Sequence, residues 1–218
     1  MISTPLHSLQ PFRVGAIEIV EVASLSADRQ ASMQALSANE DLDDLIGPVL
    51  DQVLPHVRWD STGKMIEAAA FDGDVFVALG WAEPVAYADG RAGVNLSYAV
   101  ARSHRGRQLA ELTTSFAFRV LEARLPVVGQ AGRVVSVQTL AANPAAIGVA
   151  RKLGLETDVG LAFSCETTAG PRSYVGLSVD AAQFSERCRQ SLVMRAPAEA
   201  VAAEPPDGDA SRPPRQRG

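Results

Sequence analysis

The chain has 218 residues, 47% of them apolar and 21% charged, with a formal net charge of −5. That is enough for one core of ordinary size, and the acidic balance excludes a general nucleic-acid coat or an anionic-membrane binder, both of which need a basic surface. No apolar run reaches the roughly 18 residues that cross a bilayer, and the opening residues lack the charged-then-apolar order of a secretion signal, so the expected location is the cytoplasm, with no membrane and no nucleic acid among the partners.

The elements follow in chain order. Residues 1–11 read as an N-terminal extension, and a single domain is expected over 12–194. Phe12 to Val22 alternates apolar and polar residues with many β-branched members, which predicts a first strand. From Ser24 to about Val57 the spacing is helical, with Met33, Leu36, Leu42, Leu45, Ile46, Val49, Leu50, Val53 and Leu54 as inward candidates, divided near 37–39 and perturbed at Gly47 and Pro48. Met65–Phe71 and Val75–Ala82 flank the turn Asp72-Gly73-Asp74 and predict a hairpin. Gly93–Ala101 is a further strand. From Arg107 the period changes: Leu109, Leu112, Phe116 and Val120 make one buried helical stripe that ends near Leu125-Pro126.

Arg133–Leu140 reads as a strand. Asn143-Pro144 then opens a short helix, with Asn as cap and Pro at the first helical position, that stops at Gly154. Leu161–Glu166 and Ser173–Val179 predict a last antiparallel pair, and Ala181–Met194 a closing helix. Beyond Arg195 the chain turns to Ala, Pro, Glu, Asp and Arg, with too few apolar anchors to offset the entropy of ordering, so 195–218 is expected to be a disordered tail. Cys165 and Cys188 are too few for a disulfide framework, and His7, His56 and His104 are scattered, so no metal site is expected.

One stretch carries chemistry. A strand running through a tight turn into a helix leaves the first helical N–H groups without partners and adds the positive end of the helix dipole, which together make an anion site. Arg105-Gly106-Arg107-Gln108-Leu109-Ala110 stands at such a junction: Gly106 allows close approach, and the backbone amides of 106–110 would point at a phosphate. Arg105 and Arg107 either add attraction or are ordinary surface charges.

This stretch resembles the central motif of the GNAT superfamily of acyl-CoA-dependent N-acyltransferases, in which a strand leads into Arg/Gln-x-x-Gly-x-Gly/Ala at a helix start. Tyr98 to Arg102 stands where that strand would be, and Asn143-Pro144-Ala145-Ala146 followed by Lys152-Leu153-Gly154-Leu155 resembles the family's second motif. The resemblance covers about Val94 to Gly160 and looks most like the ribosomal-protein N-terminal acetyltransferase branch. It implies an α/β (α+β) single domain with a central mixed, mostly antiparallel sheet flanked by helices. It also implies an enzyme that transfers an acetyl group from acetyl-CoA to a primary amine by direct attack, the amine belonging to a small molecule or a protein N-terminus, and it is compatible with a homodimer.

On that resemblance, Val100 and Arg102 would present backbone groups to the pantetheine arm, and Arg105, Gly106, Arg107, Gln108, Leu109 and Ala110 would hold the pyrophosphate. Asn143 would lie beside the arm, cap its helix, or do both. Gln108 departs from the pattern by replacing the middle glycine; if that position needs positive φ, the side chain strains the loop. Ala150 and Ala146 stand where relatives carry a Tyr or Ser that protonates the leaving thiolate, and neither donates a proton. Glu67, Asp72, Asp74 and Glu83 lie on the predicted hairpin that would flank the acceptor channel, where each is a candidate base, directly or through water; Glu67, Glu83 and Tyr98 are the catalytic candidates, and Tyr98 faces either the site or the core. Without an evident acid, an α-amine that is partly neutral at pH 7 suits the chemistry better than a lysine ε-amine. The alternative reading is a GNAT-fold module that binds CoA, a related ligand or a protein partner with little or no turnover.

Overall fold

A computed structural model describes residues 11–37, 57–59, 65–167 and 170–193. The N-terminal extension, the apolar positions from Leu42 to Leu54 and the C-terminal tail lie outside the described residues.

The alternating run that opens the domain folds as two strands, β1 (Phe12–Val14) and β2 (Ile17–Glu21), not one. Gly15 breaks it: its φ of +59° sits at no steric cost in a glycine and turns the chain back on itself. Helix α1 (Ala27–Ser37) follows, and β3 (Val57–Trp59) comes after it. The acidic turn forms as predicted between β4 (Ile66–Asp72) and β5 (Val75–Tyr87), with Gly73 at φ +62°.

Strand β5 runs five residues past the predicted end at Ala82, through Pro84. Proline cannot donate to a ladder, so it needs a place where one edge is unpaired. It has one: on that edge β4 pairs as far as Ala82, and β3 begins at Val85, which leaves Glu83 and Pro84 in the gap.

After β6 (Ala92–Val100) come α2 (Leu109–Arg124), β7 (Val134–Leu140), α3 (Pro144–Lys152), the short β8 (Glu156–Thr157), β9 (Phe163–Thr167), β10 (Gly170–Asp180) and α4 (Ala181–Val193). The sheet order is β1-β2-β4-β5-β6-β7-β10-β8, with β3 beside β5 and β9 beside β10. Every pairing is antiparallel except β6 with β7. The result is the mixed, mostly antiparallel sheet flanked by helices that the sequence predicts.

The main core lies between the sheet and α2, α3 and α4, and joins Ile19, Ala68, Ala82, Val94 and Leu96 to Leu112, Phe116, Ala150 and Phe184. Helix α2 was expected to bury one stripe, yet nearly its whole circumference is buried, Thr113 to Phe118 without a break. Two neighbours cause this. Helix α4 covers the side away from the sheet, where Phe118 and Phe184 meet edge to face with centroids 4.9 Å apart. On the sheet side Gly80 lets the helix approach so closely that a Cβ there would lie 2.6 Å from the Thr114 backbone nitrogen. The buried hydroxyls are satisfied locally, Thr113 Oγ1 donating to the Leu109 carbonyl at 2.8 Å and Thr114 Oγ1 to the Ala110 carbonyl at 2.7 Å. The opposite face carries a smaller cluster of Val20, Leu25, Ala69, Phe71, Phe76 and Ala99 under α1.

Candidate functional site: a cleft at the start of α2

Strands β6 and β7 are paired only over Gly93–Asn95 with Val134–Ser136. Beyond that seam β6 continues to Val100 and β7 to Leu140, but the ladder stops and the strands part. Gly93 permits the seam, since a Cβ would fall 1.8 Å from the Val134 carbonyl oxygen. A polar cluster closes it: Ser136 Oγ donates to Asn95 Oδ1 at 3.3 Å and shares a 2.5 Å hydrogen bond with the Tyr87 hydroxyl.

A cleft of about 480 Å³ lies beside the free end of β6, lined by Tyr98–Val100, by the loop and first turn of α2, and by Asn143 to Lys152 along α3. That volume suits a ligand-binding cleft. Of the residues expected around a cofactor, Val100, Arg105, Gly106, Gln108, Leu109, Ala110 and Asn143 all line it. Arg102 and Arg107 do not; the Arg107 guanidinium reaches away to Asp72 Oδ2, 3.4 Å distant.

The start of α2 leaves backbone amides outside the helical ladder. The first helical hydrogen bond runs from the Leu112 N–H to the Gln108 carbonyl at 3.1 Å, so the amides of Leu109, Ala110 and Glu111 precede the ladder. The Gln108 side chain does not cap them, and these three residues line the cleft. Gly106 turns the loop at φ +80°. Gln108 itself adopts φ +61°, ψ +22°, the one described non-glycine residue in the left-handed region, at a cost on the order of 1–2 kcal/mol. The side chain is exposed, and the crevice stays open beside it.

Asn143 caps α3, its Oδ1 accepting from the Ala146 N–H at 3.0 Å while Pro144 takes the first helical position. Tyr98 faces the helices rather than the α1 side: it lies opposite Gly80 in the ladder, and its hydroxyl donates to the Ala146 carbonyl at 2.7 Å. Burial, then the Glu111 carboxylate, pushes the phenol well above its ordinary range, so it stays protonated and acts as a strut from β6 to α3, not as a base. Ala150 is fully buried in the core.

Glu67 and Glu83 share the other face of the sheet. Glu67 lies opposite Trp81 and Glu83 opposite Asn95, on the side away from the Ala78, Gly80 and Ala82 row that meets α2. Burial raises both carboxyls, Glu83 to about 7. Neither lines the cleft; Glu83 is the nearer to the seam, opposite Asn95 of its last pair.

Three ionisable cleft residues were not singled out as site residues in the sequence. His104 lines the cleft with Nδ1 2.9 Å from Ser103 Oγ and Nε2 3.4 Å from Asp72 Oδ2. Glu111 and Lys152 face one another across it at 3.8 Å. Helical spacing places Glu111 on the first turn of α2, but the partner on α3 is set by tertiary packing. Among the described residues no group of His, Cys, Asp and Glu could hold a metal ion, and no helix is long and apolar enough to cross a membrane.

No family model matches the chain, and no curated protein matches it. Solved structures do. A variant of spermidine N-acetyltransferase from Vibrio cholerae matches at 10% identity and a TM-score of 0.51, over 79% of this chain and 98% of that one. The yncA protein of Salmonella typhimurium, solved with acetyl-CoA, matches at 13% identity and a TM-score of 0.50, over 76% and 94%. The NAA60 protein of Arabidopsis thaliana in complex with acetyl-CoA matches at 12% identity and the same score of 0.50, over 75% and 98%. At such identities the likeness speaks for architecture alone, and it agrees with the sheet order, the single parallel seam and the helix start beside it: this chain has the GNAT fold.

Proposed function

We propose that the protein is an N-acyltransferase that moves an acetyl group from acetyl-CoA to a primary amine, by direct attack and without a covalent enzyme intermediate. The carrying observation is that the three residues at the start of α2 whose amides precede the helical ladder share one open cleft with the end of β6 that has parted from β7. The diphosphate of acetyl-CoA would sit on the amides of Leu109 to Glu111, with Arg105 and His104 adjacent. The pantetheine arm would run between α3 and Tyr98–Val100 of β6, beyond the last seam pair, where the strand is no longer paired with β7.

The acceptor arrives as an ammonium ion and must lose a proton before it can attack. Glu83, with its carboxyl raised to about 7, is matched to that task near neutral pH. The amine nitrogen then bonds to the thioester carbonyl carbon, the C–S bond breaks with its electron pair on sulfur, and the second amine proton leaves. A thiolate with an ordinary thiol pKa of about 8.5 is a tolerable leaving group, so water suffices to protonate it where Ala146 and Ala150 offer no acid.

The test is thiol release from acetyl-CoA with separate pools of peptides, amino-acid amides and polyamines, alongside calorimetry with CoA. The expected result is saturable binding and amine-dependent thiol release; no heat at millimolar CoA overturns the reading. A second reading, a CoA-binding module without turnover, is favoured by Ala146, Ala150 and the strained Gln108, and predicts binding without thiol release.

A further inference from the structure

Glu111 is the one carboxylate among the residues that line the cleft; besides Tyr98, the other ionisable groups there are His104, Arg105 and Lys152. It stands on the first turn of α2, at the third of the amides that precede the helical ladder. A negative charge at a helix N-terminus is favourable while the site is empty, because it offsets the positive end of the dipole. The same charge opposes any anion that comes to those amides.

The pairing of this carboxylate is incomplete. Its side chain is only 13% exposed, yet among the described residues no hydrogen bond reaches it. Its cationic neighbour is Lys152, on the last turn of α3, whose ammonium stops 3.8 Å away. That contact spans the cleft from one helix to the other. The lysine end of it is loose: the side chain is 66% exposed, and among the described residues Nζ makes no hydrogen bond. An ion pair with one partner so exposed holds weakly, so a multiply charged anion entering the cleft can take the ammonium from Glu111.

We propose that Lys152 is a further contact for the phosphate groups of the cofactor, that Glu111 holds it in reserve in the empty cleft, and that the pair parts when the ligand binds. The proposal rests on the acyl-CoA reading above. Lys152 then neutralises Glu111 in the free protein and a phosphate oxygen in the complex. Glu111 sets the threshold, because a ligand without phosphate charge gains nothing by parting the pair. The diphosphate and the 3′-phosphate of the nucleotide end offer the same kind of charged oxygen to the ammonium.

The experiment is a double-mutant cycle read by calorimetry, with CoA and with dephospho-CoA, which keeps the diphosphate and lacks the 3′-phosphate. Lys152→Met keeps the apolar stem and loses the charge; Glu111→Gln keeps the shape and loses the charge. Glu111→Gln is expected to tighten CoA about three- to tenfold, and Lys152→Met to weaken it about tenfold or more. The deciding comparison is Lys152→Met in the Glu111→Gln background. A lysine that passes to the ligand still costs several-fold or more when removed there, whereas one that only neutralises Glu111 costs nothing. A loss of about twofold or less in that background overturns the proposal, as does a Glu111→Gln protein that binds CoA no better than wild type. Glu111→Ala, which suits a helix equally well, repeats the comparison with a second replacement. A penalty equal for both ligands assigns Lys152 to the diphosphate, and a penalty seen with CoA alone assigns it to the 3′-phosphate. Flat titrations of wild type with both ligands overturn the CoA reading itself, and the role of Lys152 with it.

Discussion

On the proposed reading, Gln108 shapes the loop that holds the cofactor and Glu83 is the base. A left-handed backbone at Gln108 tolerates glycine best and a β-branched residue least. Gln108→Gly is expected to keep or raise the melting temperature and to tighten CoA several-fold in calorimetry by relaxing the loop around the ligand; Gln108→Val should lose about 1–2 kcal/mol of stability. For Glu83, the rate should rise with pH through an apparent pKa near 7 as the base loses its proton, and Glu83→Gln should cost about 10²–10⁴ in kcat/KM at constant CoA affinity. Stability moves the opposite way. A carboxyl whose folded pKa is raised binds more protons folded than unfolded, so its contribution is full below the ordinary value of 4.5 and is lost as pH climbs through about 7. Thermal melts of wild type and Glu83→Gln across that window should therefore diverge, with the variant ahead at pH 8.

At the scale of elements, the local signals were the readable ones. Asp72-Gly73-Asp74 specified its hairpin, Asn143-Pro144 its helix start, and the change of period near Arg107 the long helix, because each rests on the chemistry of a few adjacent residues. The division of the opening strand at Gly15 was hidden in an unbroken alternation, since a two-residue turn leaves the pattern intact on both sides. The loop that lines the cleft could be named residue by residue. The pairing of Glu111 with Lys152 could not, because it is set by how α3 packs against α2 and not by any local pattern. The prominence of α2 gives a prediction at this scale: Gly80→Ala would force a Cβ into the Thr113–Thr114 backbone, and the lost close packing should lower stability by several kcal/mol, on the order of 3. Removing the α3 cap with Asn143→Ala should cost about 1 kcal/mol in chemical denaturation, and weaken CoA if the same residue touches the pantetheine arm.

Taken as a whole, the molecule consists of two antiparallel runs of strands, β1 to β6 and β7 to β10, joined edge to edge. Among the described residues, charge links tie segments that are distant in sequence. Arg124, at the end of α2, grips Glu21 of β2 with two 2.6 Å hydrogen bonds, and Glu21 is only 8% exposed. Arg124→Ala should thus leave a buried carboxylate unpaired and cost about 1–3 kcal/mol, visible as a lower denaturation midpoint with an unchanged slope. The join between the two runs is narrower still, three residue pairs beside Gly93. A seam that short behaves as a hinge line between two leaves, and whatever enters the gap acts as a rivet across them. Amide hydrogen exchange along Leu96–Val100 and Val137–Leu140 should accordingly slow when CoA binds, while the interior of each leaf keeps its rate.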